Sequence, residues 1–126
     1  MILANETRGT VLADELELAR STWTRFVGLM GRRDLPDGQA LVLEPGNSIH
    51  MFFMRFAIDA VFVDRNWNVL HVAYGIKPWH VSRFVPKSRR VIEMPAGTCQ
   101  RTDTRVGDRL SLGERSQARR ELRATG

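Results

Sequence analysis

The chain has 126 residues, 43% hydrophobic and 26% charged, with 10 Gly, 5 Pro and a formal charge of +5. That length suits one domain whose core needs no staple, and the composition excludes wholesale disorder, a collagen repeat and a coiled coil. A single Cys excludes a disulfide framework and a multi-cysteine zinc site. No apolar run approaches the roughly 18 residues of a membrane span, and Met1–Thr10 lacks the basic start and apolar run of a secretory leader. A cytoplasmic protein with no membrane partner is expected.

In chain order, Val11–Ala19 alternates partly, with Leu12, Leu16 and Leu18 apolar, and predicts a strand. Ser21 is a good N-cap for a short helix, because Trp23, Phe26, Val27 and Met30 fall on one helical face. Gly28 lies inside that helix, Gly31 ends it, and Asp34–Gly38 is a turn-rich loop. Short strands are predicted at Ala40–Leu43, Ile49–Met54 and Ile58–Val63. Asp64-Arg65-Asn66 makes a hairpin turn into a returning strand, Trp67–Tyr74. Arg90–Met94 is a further strand, closed by Pro95-Ala96-Gly97, and Thr98 caps a short helix to Asp103. Val106-Gly107-Asp108 then turns into a last strand, Arg109–Leu112. Gly113–Gly126 holds one large apolar residue, Leu122, and four arginines, so a mobile basic tail is expected after one compact domain, 1–112. The fold class expected is mainly β (α+β): a small, largely antiparallel β-barrel or curled sheet with one or two short helices.

Several residues in this frame are candidates for chemistry. Asp59 lies in an otherwise apolar run, Phe56–Val63, where a carboxylate is costly unless it is paired, faces outward or accepts backbone N–H groups. Arg55, His50, Arg89 and Arg90 are its candidate charged partners. His50, His71 and His80 offer no metal spacing, and neither a metal nor a cofactor is expected. Cys99 would fall in a helical first turn, which lowers a thiol pKa, but no histidine is aimed at it by spacing, so a free, half-buried thiol is expected.

Charge is spread unevenly. Residues 1–75 hold 7 basic and 9 acidic side chains, whereas 76–126 hold 12 and 5. Lys77–Arg90 is the densest part, with Lys77, Arg83, Lys87, Arg89 and Arg90, no acid, and Trp79, His80 and Phe84 interleaved. Basic charge with aromatics suits an anionic small molecule or nucleic acid, through phosphate pairing and base stacking.

Five stretches together resemble the bacterial and archaeal family known as domain of unknown function 192. They are Arg25–Met30, His50–Asp64, Lys77-Pro78-Trp79, Glu93–Gly97 and Val106–Leu110, and the likeness spans roughly residues 8–112. It implies a compact, mainly β domain and no particular activity. It also places Asp59 on the family's recurrent Asp, and Cys99 where other small residues are usual.

Two functional readings follow. The favoured one is a non-catalytic binding module that holds an anionic ligand or polymer on Trp79, His80, Lys87, Arg89 and Arg90. The alternative is a small enzyme of unknown reaction with Asp59 and His50 as acid–base candidates. No nucleophile, base and orienter assemble from spacing alone, which weighs against catalysis. The oligomeric state is not readable from the sequence.

Overall fold

A computed structural model describes residues 1–113, apart from the side chains of Thr22 and Phe26. In chain order the elements are β1 (Ile2–Asn5), β2 (Thr10–Ala13), β3 (Glu15–Ala19), α1 (Thr22–Val27), β4 (Gln39–Leu43) and β5 (Ile58–Val63). β6 (Val69–Ile76), β7 (Arg90–Pro95), α2 (Thr98–Arg101) and β8 (Leu110–Gly113) complete the described chain. The tail expected from Gly113 lies outside the described residues, except that Gly113 itself closes β8.

The strands form two sheets. One is three-stranded, in the order β2-β1-β8; the other is five-stranded, in the order β3-β4-β7-β5-β6. All pairs are antiparallel except β3–β4. The fold is therefore mainly β with two short helices. It is not a closed barrel: β3 and β6 end the larger sheet and do not pair with each other.

The larger sheet is covered on both faces, which explains its nearly unbroken apolar strands. The strand period of two sorts its residues cleanly. Val42, Val61, Val63, Ile92 and Met94 face one way and pack with Leu3, Leu12 and Leu110 of the smaller sheet. Leu41, Leu43, Ile58, Ala60, Phe62 and Val91 face the other way and pack under irregular segments through Leu29, Met51, Met54 and Val85. The result is three layers: small sheet, large sheet, and a layer of α1 and loops.

Most predicted elements form, with instructive exceptions. Ser21 caps α1 as expected, its hydroxyl accepting the Thr24 N–H at 3.0 Å in a capping box. The helix is shorter than its apolar spacing suggested. Trp23 is 71% exposed rather than on a buried face. Gly28 ends the helix with φ 47° and ψ −122°, a conformation favouring glycine. The strand expected over Val11–Ala19 breaks at Asp14, where the Asp14 and Glu15 N–H groups both donate to the Gly38 carbonyl. Gly97, not Thr98, precedes α2 as its cap, and no side chain caps that helix.

Ile49–Met54 is not a strand. Its chain is zipped to the 79–82 segment by Met51 N–H to His80 O (2.7 Å), Trp79 N–H to Met51 O (2.7 Å) and Ser82 N–H to Ile49 O (2.9 Å). Only His50 and Val81 make a ladder step. Phe53 takes a left-handed φ of 62°, so strand alternation fails. Ile49, Met51 and Met54 are buried while Phe52 and Phe53 are exposed.

Candidate functional site

Asp59 is 1% exposed, and it is a structural hub. Its position in β5 turns the side chain toward the smaller sheet and α2. There Oδ1 accepts the Gly75 N–H at 2.8 Å, and Oδ2 accepts the N–H groups of Gly97 (3.1 Å) and Cys99 (2.9 Å). The carboxylate thus joins β5 to β6 and to the start of α2. The partners are backbone donors; none of the charged side chains considered from sequence hydrogen-bonds to it.

Cys99 sits beside this clamp, a free thiol only 1% exposed and so more deeply buried than expected. Burial pushes its pKa up, and the adjacent Asp59 carboxylate adds to that rise. The depressed, reactive thiol that a helical first turn suggested does not occur.

His50 lies on the other side of the large sheet, in the loop layer. It lines a cavity of about 230 Å³ with Arg25, Gly28, Met54, Ser82 and Glu93. Asp59 is not among the lining residues. Strand parity explains this: Asp59 pairs in register with Met94, and its neighbour Ala60 pairs with Glu93. The two carboxyls therefore emerge from opposite faces of one sheet, and the one that shares a cavity with His50 is Glu93. Sequence reasoning missed it as a site residue, because one acid at a strand centre looks like any outward-facing position.

Glu93 is 5% exposed, and its carboxyl has no hydrogen-bond partner among the described residues. Burial pushes its pKa up to about 8, and the Arg32 charge opposes the rise. Gly28 passes beside it; a Cβ there would meet Glu93 Oε1 in ordinary contact at 3.8 Å. Arg25 reaches the wall from α1, its Nη1 donating to the Pro45 carbonyl at 3.1 Å. Its Nε is buried and unpartnered.

Beside His50 stands an exposed aromatic cluster. Phe53 and Trp79 are each 60% exposed and their rings lie 5.0 Å apart. Phe52 lies 6.1 Å from Trp79 and 5.3 Å from His50. Trp79, like Phe53, has a left-handed φ (69°). The zipped backbone overrides that local strain and holds both rings outward, an arrangement often found at binding sites.

Of the basic residues expected to serve this face, Lys77, Arg83, Lys87 and Arg89 are exposed. None makes an ion pair with a described residue. Arg90 differs. Its Nε donates to Glu44 Oε2 at 2.7 Å, and its guanidinium lies over Trp67 at 4.6 Å, so its charge is already engaged. His80 is exposed, with Nδ1 3.0 Å from the Pro78 carbonyl. Among the described residues no three His, Cys, Asp or Glu side chains gather as a metal site. No helix there is long and apolar enough to cross a membrane.

Fold and site together define a small two-sheet α+β domain with a cavity on the loop side of its larger sheet and an exposed aromatic cluster next to His50. The chain belongs to the DUF192 family ("Uncharacterized ACR"), which it matches over residues 3–112. It is 33% identical over 115 residues to a UPF0127 protein of Pyrococcus furiosus, covering 86% of this chain and 95% of that one. A solved protein of unknown function from Novosphingobium aromaticivorans shares the fold with a TM-score of 0.79 at 20% identity, over 89% of this chain and 84% of that one. A Sinorhizobium meliloti protein, provisionally described as a transcription regulator, superposes with a TM-score of 0.68 at 26% identity, over 76% of this chain and 79% of that one.

Proposed function

We propose that this protein is a cytoplasmic, non-catalytic binding module that takes an anionic ligand on the face built by residues 49–54 and 77–89. The observation that carries this reading is the exposed aromatic cluster of Phe52, Phe53 and Trp79, of which Trp79 belongs to a segment with no acidic residue from Lys77 to Arg90. An exposed aromatic cluster joined to a chain segment whose cations make no ion pair with a described residue suits ligands with both a flat apolar part and negative charge. Arg90 contributes by bracing β7 against Glu44, and Lys77, Arg83, Lys87 and Arg89 supply the field. The provisional description of the Sinorhizobium protein brings nucleic acid among the anions to be tried.

A thermal-shift screen across nucleotides, small carboxylates and an oligonucleotide tests this. An anion present at a hundred times its dissociation constant adds about 2.7 kcal/mol of stability. Lys87→Glu with Arg89→Glu should weaken that binding at least tenfold without lowering the melting temperature of the free protein, since neither side chain makes an ion pair with a described residue. For an oligonucleotide spanning three phosphates, log affinity should fall with log salt at a slope of about −2, and Trp79→Ala should cost about 1–3 kcal/mol if a base stacks there. Failure of every anion to shift the melt, or binding indifferent to the double reversal, would overturn the reading.

A further inference from the structure

The cavity lined by His50 says more about the ligand than the aromatic cluster does. Two groups at its wall and floor have unmet hydrogen-bonding capacity. Glu93 lines the cavity, is almost wholly buried, and finds no partner for its carboxyl among the described residues. Arg25 spends Nη1 on the Pro45 carbonyl and leaves Nε buried without an acceptor. Buried polar groups left unsatisfied in a folded protein are uncommon. Arg25 Nε is one, and with the Glu93 carboxyl lining the same cavity it points to a ligand that meets both.

The charge balance selects its sign. Around Glu93, α1 contributes Arg25 and the chain after it Arg32, and the 48–54 segment contributes His50. The register neighbours of Glu93 on β4 and β5 are the apolar Leu41 and Ala60. Arg32 is engaged with Glu17 at 2.7 Å. With Glu93 protonated near neutral pH, the charge at the cavity comes from Arg25, and a cation would be repelled. The size selects its bulk. A cavity of about 150 Å³ accommodates a benzene, and 230 Å³ accommodates that ring with a carboxylate attached. Leu29, Met30, Ile49, Met54 and Val81 supply apolar wall. Against that wall a phosphate dianion would leave oxygens unpaired.

Resting on the anion-binding reading above, we propose that the ligand is a small organic monocarboxylate with an apolar body, seated in this cavity with its carboxylate on Arg25 and accepting a hydrogen bond from the carboxylic acid of Glu93. An acid O–H donating to a carboxylate is a short, charge-assisted bond. It exists only while Glu93 holds its proton. Above the Glu93 titration the donor is lost and a second negative charge faces the ligand, so affinity falls about tenfold per pH unit.

Benzoate is the probe, titrated calorimetrically into the intact protein at pH 6.5, 8 and 9.5, with an oligonucleotide run in parallel. Benzoate should bind at pH 6.5 and weaken at least tenfold by pH 9.5. Glu93→Gln keeps a donor but no titration, so its benzoate affinity should be nearly level across that range. Arg25→Gln should lose benzoate at least tenfold at every pH. Should that variant fail to fold, Met54→Trp, which fills the cavity from a residue outside the charged pair, should abolish benzoate binding in its place. Benzoate binding that ignores pH in the wild type, or follows pH equally in Glu93→Gln, overturns the proposal. Oligonucleotide binding without benzoate binding overturns it too, while leaving the anion-binding module standing. If neither binds and the wider screen is silent, both readings fall.

Discussion

Replacing Asp59 with Ala is expected to remove about 3–5 kcal/mol of stability, because three buried backbone donors lose their acceptor at about 1–3 kcal/mol each, partly relieved by relaxation. Those donors are the N–H groups of Gly75, Gly97 and Cys99, drawn from β6 and the start of α2. Against a typical total of about 5–15 kcal/mol the loss is large, and it should lower the melting temperature by roughly 15 °C. Asp59→Asn should rescue little. An amide has one acceptor oxygen, and its NH2 would meet an N–H group where Oδ1 or Oδ2 now accepts. Thermal and urea unfolding followed by circular dichroism give both numbers. A wild-type melt for Asp59→Ala would show that the clamp contributes nothing, and would return the residue to consideration as a ligand or catalytic group.

The second large effect is in pH. Glu93 has its pKa raised from 4.5 to about 8 in the folded protein. Between those values the native state holds a proton that the unfolded chain releases. Stability therefore falls as pH rises through this window, and the part due to Glu93 levels off above about pH 8. At about 1.4 kcal/mol per unit of displacement the loss is several kcal/mol. Glu44 acts in the opposite sense: the hydrogen bond from Arg90 holds its carboxyl below the ordinary range, so its contribution is present above pH 4.5 and is lost in acid. Unfolding free energies measured from pH 5 to 9 should decline for the wild type. For Glu93→Gln they should be markedly flatter, with the variant the more stable protein at pH 9. Parallel curves for the two would mean that the Glu93 carboxyl is not desolvated.

These two carboxyls mark how far the sequence could be read. A lone Asp within Phe56–Val63 stands out because every neighbour is apolar, and backbone donors are one of the few ways to hold such a carboxylate. Glu93 gave no such signal. Its importance depends on which face of β7 is covered, and that is decided by where residues 49–54 and 77–85 fold, which local pattern does not encode. Those segments defeat pattern reading for the same reason. Ile49–Met54 is apolar enough to be a strand, yet its partner is an irregular loop, and the left-handed Phe53 breaks the alternation. β1 escaped notice because all four of its residues are buried, and its one polar residue, Asn5, ends the strand and reveals no period of two. Local chemistry was legible where it acts locally. The Ser21 cap is one case. The Asp64 turn is another, where the carboxylate accepts the N–H groups of Asn66 (2.8 Å) and Asn68 (2.9 Å).

The pairing of β1 with β8 also has a consequence for how the chain reaches its native state. Ile2–Asn5 lies in register with Leu110–Gly113, so the central strand of the smaller sheet must wait for one of its two neighbours until residue 113 has emerged from the ribosome. Until then β1 has only the β2 hairpin, and a two-stranded ribbon is marginal in water. Leu3, wholly buried in the finished protein, stays solvated through most of synthesis, and closure spans almost the whole described chain. Folding dominated by such distant pairings belongs to the millisecond-to-second class. During that interval the uncovered inner face of the larger sheet is the surface most open to association with other nascent chains.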